Sequence, residues 1–332
     1  MYILFYSKDL NSRMALCFLL GVLTSVFNCS FSYLLEITPK SSKSFMNYLF
    51  LITEAVVPTL IGSLYFYFGG KDWEKVFMLT LVIAPIGLIG SIWLPNSPQY
   101  LLDCKETKAA EAQIEAIASI NRCKTPKLYS LIKENDMGNS VIGNNKLAYF
   151  KTWDNFSQLL AMVIILSYCG FNGVLLSYYI KYIKANIFFL KISGVMCMAV
   201  VELASYYLLK YFDVKAVATT IILFSIPLST MLVLSVSGES EMLGWLSVIG
   251  ISSSMDSLGI LMYYFVSDSF PTSVVPLVLT ISNFSANISQ IIAPIIAEMQ
   301  GLVPVIAFSC TSCLALLTLL LLNNNKKMRA GK

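Results

Sequence analysis

Histidine is absent from the 332 residues of this sequence, and only 13% of the residues are charged. The absence of histidine removes the commonest metal ligand and the usual general base near neutral pH. The formal net charge of +4 is small, and the basic residues form no stripe of the kind that binds nucleic acid. Because no metal-ligand cluster and no nucleophile beside a base is visible either, we expect no metal, no cofactor, no nucleic-acid partner and no enzymatic activity.

Apolar residues make up 57% of the chain, and they occur in long runs. A membrane-spanning helix needs about 20 mostly apolar residues, because hydrocarbon offers backbone groups no hydrogen-bond partner. The sequence therefore predicts an all-α, polytopic membrane protein embedded in a lipid bilayer. Nine runs meet the criterion, at residues 14–36, 48–69, 75–94, 156–180, 192–211, 216–236, 244–266, 273–297 and 302–322.

One connection between the predicted spans is long and polar, and it divides the chain. Residues 95–155 separate three spans from six, and within them 105–122 reads as an amphipathic helix. We therefore predict a partial N-terminal bundle of three helices at 1–94, a linker at 95–155, and a C-terminal six-helix bundle with a tail at 156–332.

The distribution of basic residues predicts the orientation, because cytoplasmic loops are enriched in lysine and arginine. With the linker in the cytoplasm, sixteen basic residues lie on the cytoplasmic side and seven on the other side. We therefore expect both the linker and the C-terminus to be cytoplasmic. The plasma membrane and an internal membrane both remain open.

Four stretches of the sequence carry specific motifs. Residues 91–122 contain Pro-Asn-Ser-Pro-Gln-Tyr-Leu-Leu and then a Lys-, Glu- and Ala-rich helix. An Arg-containing entry and a Glu-x-x-Pro exit bound the span within 13–43, Val-Glu-Leu-Ala occupies 201–204, and YYFVSDSFPT occupies 263–272. In order and spacing these motifs resemble the major facilitator superfamily. The organic cation/anion transporter group and the synaptic-vesicle-protein-like and sugar porter group are the most similar.

The resemblance implies the major facilitator fold, with the nine spans corresponding to family helices 4–12 and about three helices expected before Met1. It also implies a gating network at the ends of the helices. The residues that match the gating motifs are Glu36, Pro39, Lys40, Lys43, Ser97, Pro98, Asp268 and Pro271. The arginines usual in these motifs are absent here, so the resemblance implies a weakened latch.

Three acidic residues fall inside predicted spans, where ionisable groups are costly and mark functional sites by default. They are Glu54, Glu202 and Asp256, and the last two lie near the predicted midpoints. No basic residue is expected at their depth. The acids could attract an organic cation or carry a proton, and the alternative is a protonated acid hydrogen-bonded to a neighbouring helix.

Polar and aromatic residues in the C-terminal spans could line a cavity. The candidates for solute binding are Tyr168, Asn172, Tyr263, Asn283, Asn287 and Gln290. Asn283, Asn287 and Gln290 share one helix face, and this stripe either lines a water-filled path or bonds to neighbouring helices.

The function that the resemblance implies is secondary transport by alternating access. The expected solute is a small organic molecule, first an organic cation and second a sugar, with a proton or another cation as the coupling ion. Two alternatives stay open: a truncated, non-transporting binding or regulatory partner in the membrane, or a gene model that begins too late.

Overall fold

The structure is a computed structural model that describes residues 9, 11–12, 14–15, 26–38, 42–68, 70, 73–103, 106–122, 146–182, 186–238, 240–271, 274–299 and 303–322. Its described residues contain helices and no strands. The α-helices are α1 (Val26–Ile37), α2 (Lys43–Tyr67), α3 (Trp73–Ile92), α4 (Pro98–Asp103), α5 (Thr107–Ile120), α6 (Trp153–Tyr179), α7 (Ile187–Leu208), α8 (Val214–Gly238), α9 (Glu241–Ser269), α10 (Val275–Ala297) and α11 (Val303–Thr318). Short 3-10 turns occupy Lys146–Lys151, Ile180–Tyr182 and Leu319–Leu321.

Six helices in the described part of the chain are long and apolar enough to cross a membrane: α6 to α10, and α11 with the 3-10 turn after it. The ends of these helices lie within five residues of the six predicted C-terminal spans. The predicted spans at 48–69 and 75–94 coincide with α2 and α3. Of the first predicted span, only the end from residue 26 onward is described as continuous helix.

The chain divides into two compact units. Unit 1 consists of residues 1–39 and 71–149, and unit 2 consists of residues 40–70 and 150–332. The helix α2 therefore groups with the six C-terminal helices, where it packs against α7. The division into parts at 94 and 155 stays a prediction.

Unit 1 contains α1, α3, α4 and α5. The hydroxyl of Tyr33 in α1 donates to the backbone oxygen of Pro95 at 2.7 Å, which ties α1 to the segment after α3. The helix α5 lies within the predicted amphipathic stretch and buries Ala110, Ile114 and Ala118 along one face. Four-residue spacing puts these three side chains above one another on the helix surface.

Close packing between α6 and α10 is the main feature of unit 2. The hydroxyls of Ser167 and Ser285 lie 3.0 Å apart, and Ser289 donates to the backbone oxygen of Ser167 at 3.0 Å. A Cβ added at Gly170 would lie 2.7 Å from the side-chain nitrogen of Gln290. Small residues thus let the two helices approach closely, as is usual between helices in membranes.

Candidate functional site

Asp256 lies near the middle of α9, as the sequence predicted, and its side chain is exposed. Cys169 of α6 and Lys191 of α7 both lie close enough to Asp256 to interact with it electrostatically. A basic residue, Lys191, thus acts electrostatically on Asp256, while the prediction that no basic residue shares the depth of the acids stays untested. Lys191 lies near the beginning of α7, and sequence alone did not predict its interaction with Asp256.

Glu202 differs sharply from Asp256 in its surroundings. Its side chain is 0% exposed, and neither carboxylate oxygen has a hydrogen-bond partner among the described residues. The sequence predicted Glu202 near the middle of its span. In the structure it lies in the last third of α7, closer to the end of that helix. The hydroxyl of Ser257 in α9 is near enough to act on the Glu202 carboxylate as a long-range donor, although the two groups do not form a hydrogen bond of ordinary geometry. Tyr48 of α2 is close enough to Glu202 to interact with it electrostatically.

A tyrosine cluster lies beside Glu202. The ring centroid of Tyr48 is 5.6 Å from that of Tyr206 and 5.9 Å from that of Tyr264. Tyr206 follows Glu202 by four residues, so both lie on one face of α7. Sequence reasoning missed this cluster, although the four-residue spacing of an acid and an aromatic residue within a span was a usable signal.

Tyr168 and Asn172 are both buried in unit 2 and bonded within it. The hydroxyl of Tyr168 lies 3.3 Å from that of Ser225 in α8 and 3.2 Å from that of Ser312 in α11. The amide of Asn172 donates to Thr311 of α11 at 3.0 Å. These partners give both side chains a structural role in joining α6 to α8 and α11, and their role in binding a solute stays a prediction.

The polar stripe of α10 divides between two kinds of environment. Asn283 accepts a hydrogen bond of 2.8 Å from the hydroxyl of Tyr263 in α9, and Gln290 packs over Gly170 of α6. Asn287, between them on the same face, is exposed. Two members of the stripe thus contact neighbouring helices, and the role of Asn287 in binding a solute stays a prediction.

Two of the predicted gating residues meet in unit 1, where the hydroxyl of Ser97 donates to the carboxylate of Glu36. Pro98 and Pro271 are half-buried, and Asp268 is exposed near the end of α9. Pro39 and Lys40 lie outside the described residues. Lys43 and Glu54 lie in α2, but their side chains are not described.

The described part of the chain contains no cluster of the side chains that usually bind metal ions. No group of three or more His, Cys, Asp or Glu side chains there could hold a metal ion. The two cysteines of the Cys-x-x-Cys sequence, Cys310 and Cys313, are both free and exposed on α11. A monovalent cation can instead be bound by one carboxylate together with hydroxyl groups, and Glu202 has the hydroxyl-bearing neighbours Ser257 and Tyr48.

Several long apolar helices that carry acidic residues within their spans are typical of multi-pass integral membrane proteins that move solutes. The model of the Major Facilitator Superfamily matches residues 1–294, and the chain belongs to this family. No curated protein sequence matches the chain significantly. The membership confirms the predicted fold class, and it confirms that the chain is not an enzyme.

One solved structure with a similar fold is that of the proton:xylose symporter XylE with bound 6-bromo-6-deoxy-D-glucose. The match has a TM-score of 0.62 at 15% sequence identity, and it covers 88% of this chain and 66% of XylE. The chain therefore spans slightly less than two thirds of the XylE chain. At this identity the similarity shows the fold alone.

Proposed function

We propose that the protein is a secondary transporter of a small organic solute, and that the solute is an organic cation. Membership of the major facilitator family supports transport. The observation that carries the choice of solute is the exposed carboxylate of Asp256 near the middle of α9, with the second acid Glu202 close by. The subgroup resemblance of the motifs, including Val-Glu-Leu-Ala at 201–204, points in the same direction.

The charges around Asp256 favour a cationic solute. Lys191 is the basic residue that interacts with Asp256, whereas both Asp256 and Glu202 are acidic. No ion pair joins Lys191 to Asp256 among the described residues, so the Asp256 carboxylate keeps a negative charge that a monovalent organic cation would neutralise. Opposite charges at short range in a medium of low dielectric interact far more strongly than in water.

A sugar is the second candidate, and one structural feature favours it. Tyr263 and Asn283 form a hydrogen-bonded pair of neutral groups, and the exposed Asn287 lies one turn along α10. Hydroxyl and amide groups of this type bind sugar hydroxyls, and XylE, whose fold is similar, is a proton:xylose symporter.

The direct test is uptake into liposomes that contain the purified full-length chain, measured for radiolabelled tetraethylammonium and for xylose. We expect saturable uptake of tetraethylammonium and an increase in its KM of about tenfold in Asp256→Asn, since a loss of about 1.4 kcal/mol in binding corresponds to a tenfold change. Glu298→Gln is the matched control, because Glu298 is exposed outside the spans.

The outcomes of the uptake test separate the candidates. Saturable uptake of xylose without that of tetraethylammonium would contradict an organic cation and favour the sugar. Absence of uptake for both solutes, in protein shown to be folded, would contradict transport and favour a binding or regulatory role. Equal KM values for the wild-type protein and Asp256→Asn would remove Asp256 from the binding site.

A further inference from the structure

Three buried side chains of unit 2, one from each of three helices, carry polar atoms that have no hydrogen-bond partner among the described residues. They are both carboxylate oxygens of Glu202, the hydroxyl of Ser257 and the hydroxyl of Tyr48. The exposed fractions of these side chains are 0%, 0% and 3%. Buried polar groups in proteins almost always have a hydrogen-bond partner. Several such groups without a partner at one junction of helices therefore indicate a bound water molecule or ion.

The three residues lie at one junction of helices. The helix α7, which carries Glu202, packs against both α2 and α9. The hydroxyl of Ser257 is near enough to act on the Glu202 carboxylate, and Tyr48 is close enough to interact with it electrostatically. The ring contacts of Tyr48 with Tyr206 and Tyr264 fix its position at the same junction of helices. A single small ligand could therefore meet groups from α2, α7 and α9.

We propose that Glu202, Ser257 and Tyr48 bind a sodium ion. Oxygen atoms are the ligands that hard cations prefer, and these side chains supply four of them. One carboxylate balances the charge of one monovalent ion, whereas a divalent ion would leave a positive charge buried among apolar residues. Complete burial of Glu202 favours an ion of atomic size over a bulky organic cation.

The charged groups around the site agree with a bound cation. Asp256, one residue before Ser257, interacts electrostatically with Glu202 and makes the surroundings of the site more negative, but it is exposed and is not one of the proposed ligands. Lys191 interacts electrostatically with Asp256, and the amine of Lys210 lies 5.2 Å and 4.8 Å from the ring centroids of Tyr206 and Tyr207. Among the described residues, neither lysine forms an ion pair with Glu202.

The sodium site deepens the proposed function, on which it rests, because it assigns a coupling ion to helices that also carry the solute site. Asp256 is exposed and Glu202 is buried, so the two acids would bind different cations. Sodium bound between α2, α7 and α9 would favour the arrangement in which these helices are packed together. A ligand shifts a conformational equilibrium when it binds one state more tightly than the other.

Sodium binding can be measured without any transport assay. Purified full-length protein is heated in NaCl, KCl or choline chloride at equal ionic strength, and binding of radioactive sodium-22 is counted on the same samples. We expect about one sodium ion per chain and a melting temperature about 2–4 °C higher in NaCl than in KCl, because a ligand that binds only the folded state stabilises it.

Four variants make the measurement specific. Glu202→Gln keeps the size of the side chain and should lose both sodium binding and the sodium-dependent shift. Ser257→Ala and Tyr48→Phe should weaken sodium binding by several-fold. Glu241→Gln is the matched control, since Glu241 is exposed in the first turn of α9.

Equal melting temperatures in NaCl and KCl, with no sodium-22 bound by the wild-type protein, would overturn the proposed site. So would full sodium binding by Glu202→Gln. If uptake of tetraethylammonium fails while sodium binding is observed, the proposed function is wrong and the sodium site stands. If uptake of tetraethylammonium succeeds and sodium binding fails, the proposed function stands and the sodium site is wrong.

Discussion

At the scale of single residues, the environment of each acid decides what it can do. Asp256 is exposed and interacts with Lys191, while Glu202 is buried and has no such lysine partner among the described residues. Both are single acids within apolar helices, although Asp256 has serines on both sides and Glu202 has apolar neighbours. The difference arises from the helices that pack beside them, which is why the sequence predicted both residues as candidates of the same kind.

Lys191 provides the sharpest test at this scale. Its positive charge opposes the binding of a cation to Asp256, so Lys191→Gln should lower the KM for tetraethylammonium by several-fold. Removing a like charge at close range strengthens the interaction of Asp256 with the solute. Uptake by liposomes checks this prediction, with Lys215→Gln as the control, because Lys215 lies on a different helix from both acids and donates to the backbone oxygens of Leu320 and Leu322, after the end of α11. A higher KM in Lys191→Gln would contradict a cationic solute.

The ion pair between Lys181 and Glu298 predicts a dependence on pH. Hydrogen bonds, first from Lys181 and then from Tyr182, lower the pKa of the Glu298 carboxyl below its ordinary value. A lowered pKa in the folded state gives stability that is fully present above the ordinary pKa of glutamate, about 4.3, and lost as the pH falls through the lowered value.

Melting temperatures measured between pH 3 and pH 7 check this dependence. The wild-type protein should be slightly more stable than Glu298→Gln above about pH 4.3, and the difference should disappear only below that pH. The difference should be small, because the two side chains are 47% and 53% exposed. A difference that grows as the pH falls would contradict the ion pair.

At the scale of helices, the contact between α6 and α10 depends on Gly170. A Cβ at this position would lie 2.7 Å from the amide nitrogen of Gln290, whereas nothing lies within 4 Å of a Cβ at Gly173. Gly170→Ala should cost at most about 1 kcal/mol, because the end of the Gln290 side chain can move. Gly170→Leu should cost about 1–3 kcal/mol by overpacking the contact.

Thermal unfolding of the purified variants measures both effects, and Gly173→Leu on the same helix is the matched control. Its melting temperature should stay close to that of the wild-type protein, because its side chain would enter open space. Equal losses in Gly170→Leu and Gly173→Leu would indicate a general sensitivity of α6 and would contradict close packing at Gly170.

The sequence predicted the helices of unit 2 well, because each is a long apolar run bounded by polar residues or proline. It did not predict how each helix is rotated or which helices are neighbours. A helix that is apolar on all sides has no amphipathic face to fix its rotation. The partners of Glu202, namely Ser257 and Tyr48, are 55 residues later and 154 residues earlier in the chain, and only the packing of α2 and α9 against α7 brings them together.

At the scale of the whole molecule, family membership and fold agree with the predicted multi-pass organisation. The helix α2 shows that grouping by contacts differs from grouping by order along the chain. It precedes the linker in sequence, yet it belongs to unit 2 and supplies Tyr48 to the proposed sodium site. Position relative to the linker alone therefore does not decide which helices pack together.

The central claim is that Asp256 belongs to a solute site that opens alternately to the two sides of the membrane. The most direct measurement replaces the native cysteines, introduces Asp256→Cys, and treats liposomes with a membrane-impermeant thiol reagent from one side or the other. We predict modification of residue 256 from both sides and no modification of Glu202→Cys, because Glu202 is fully buried. Modification of residue 256 from one side only, or from neither, would contradict alternating access at this site.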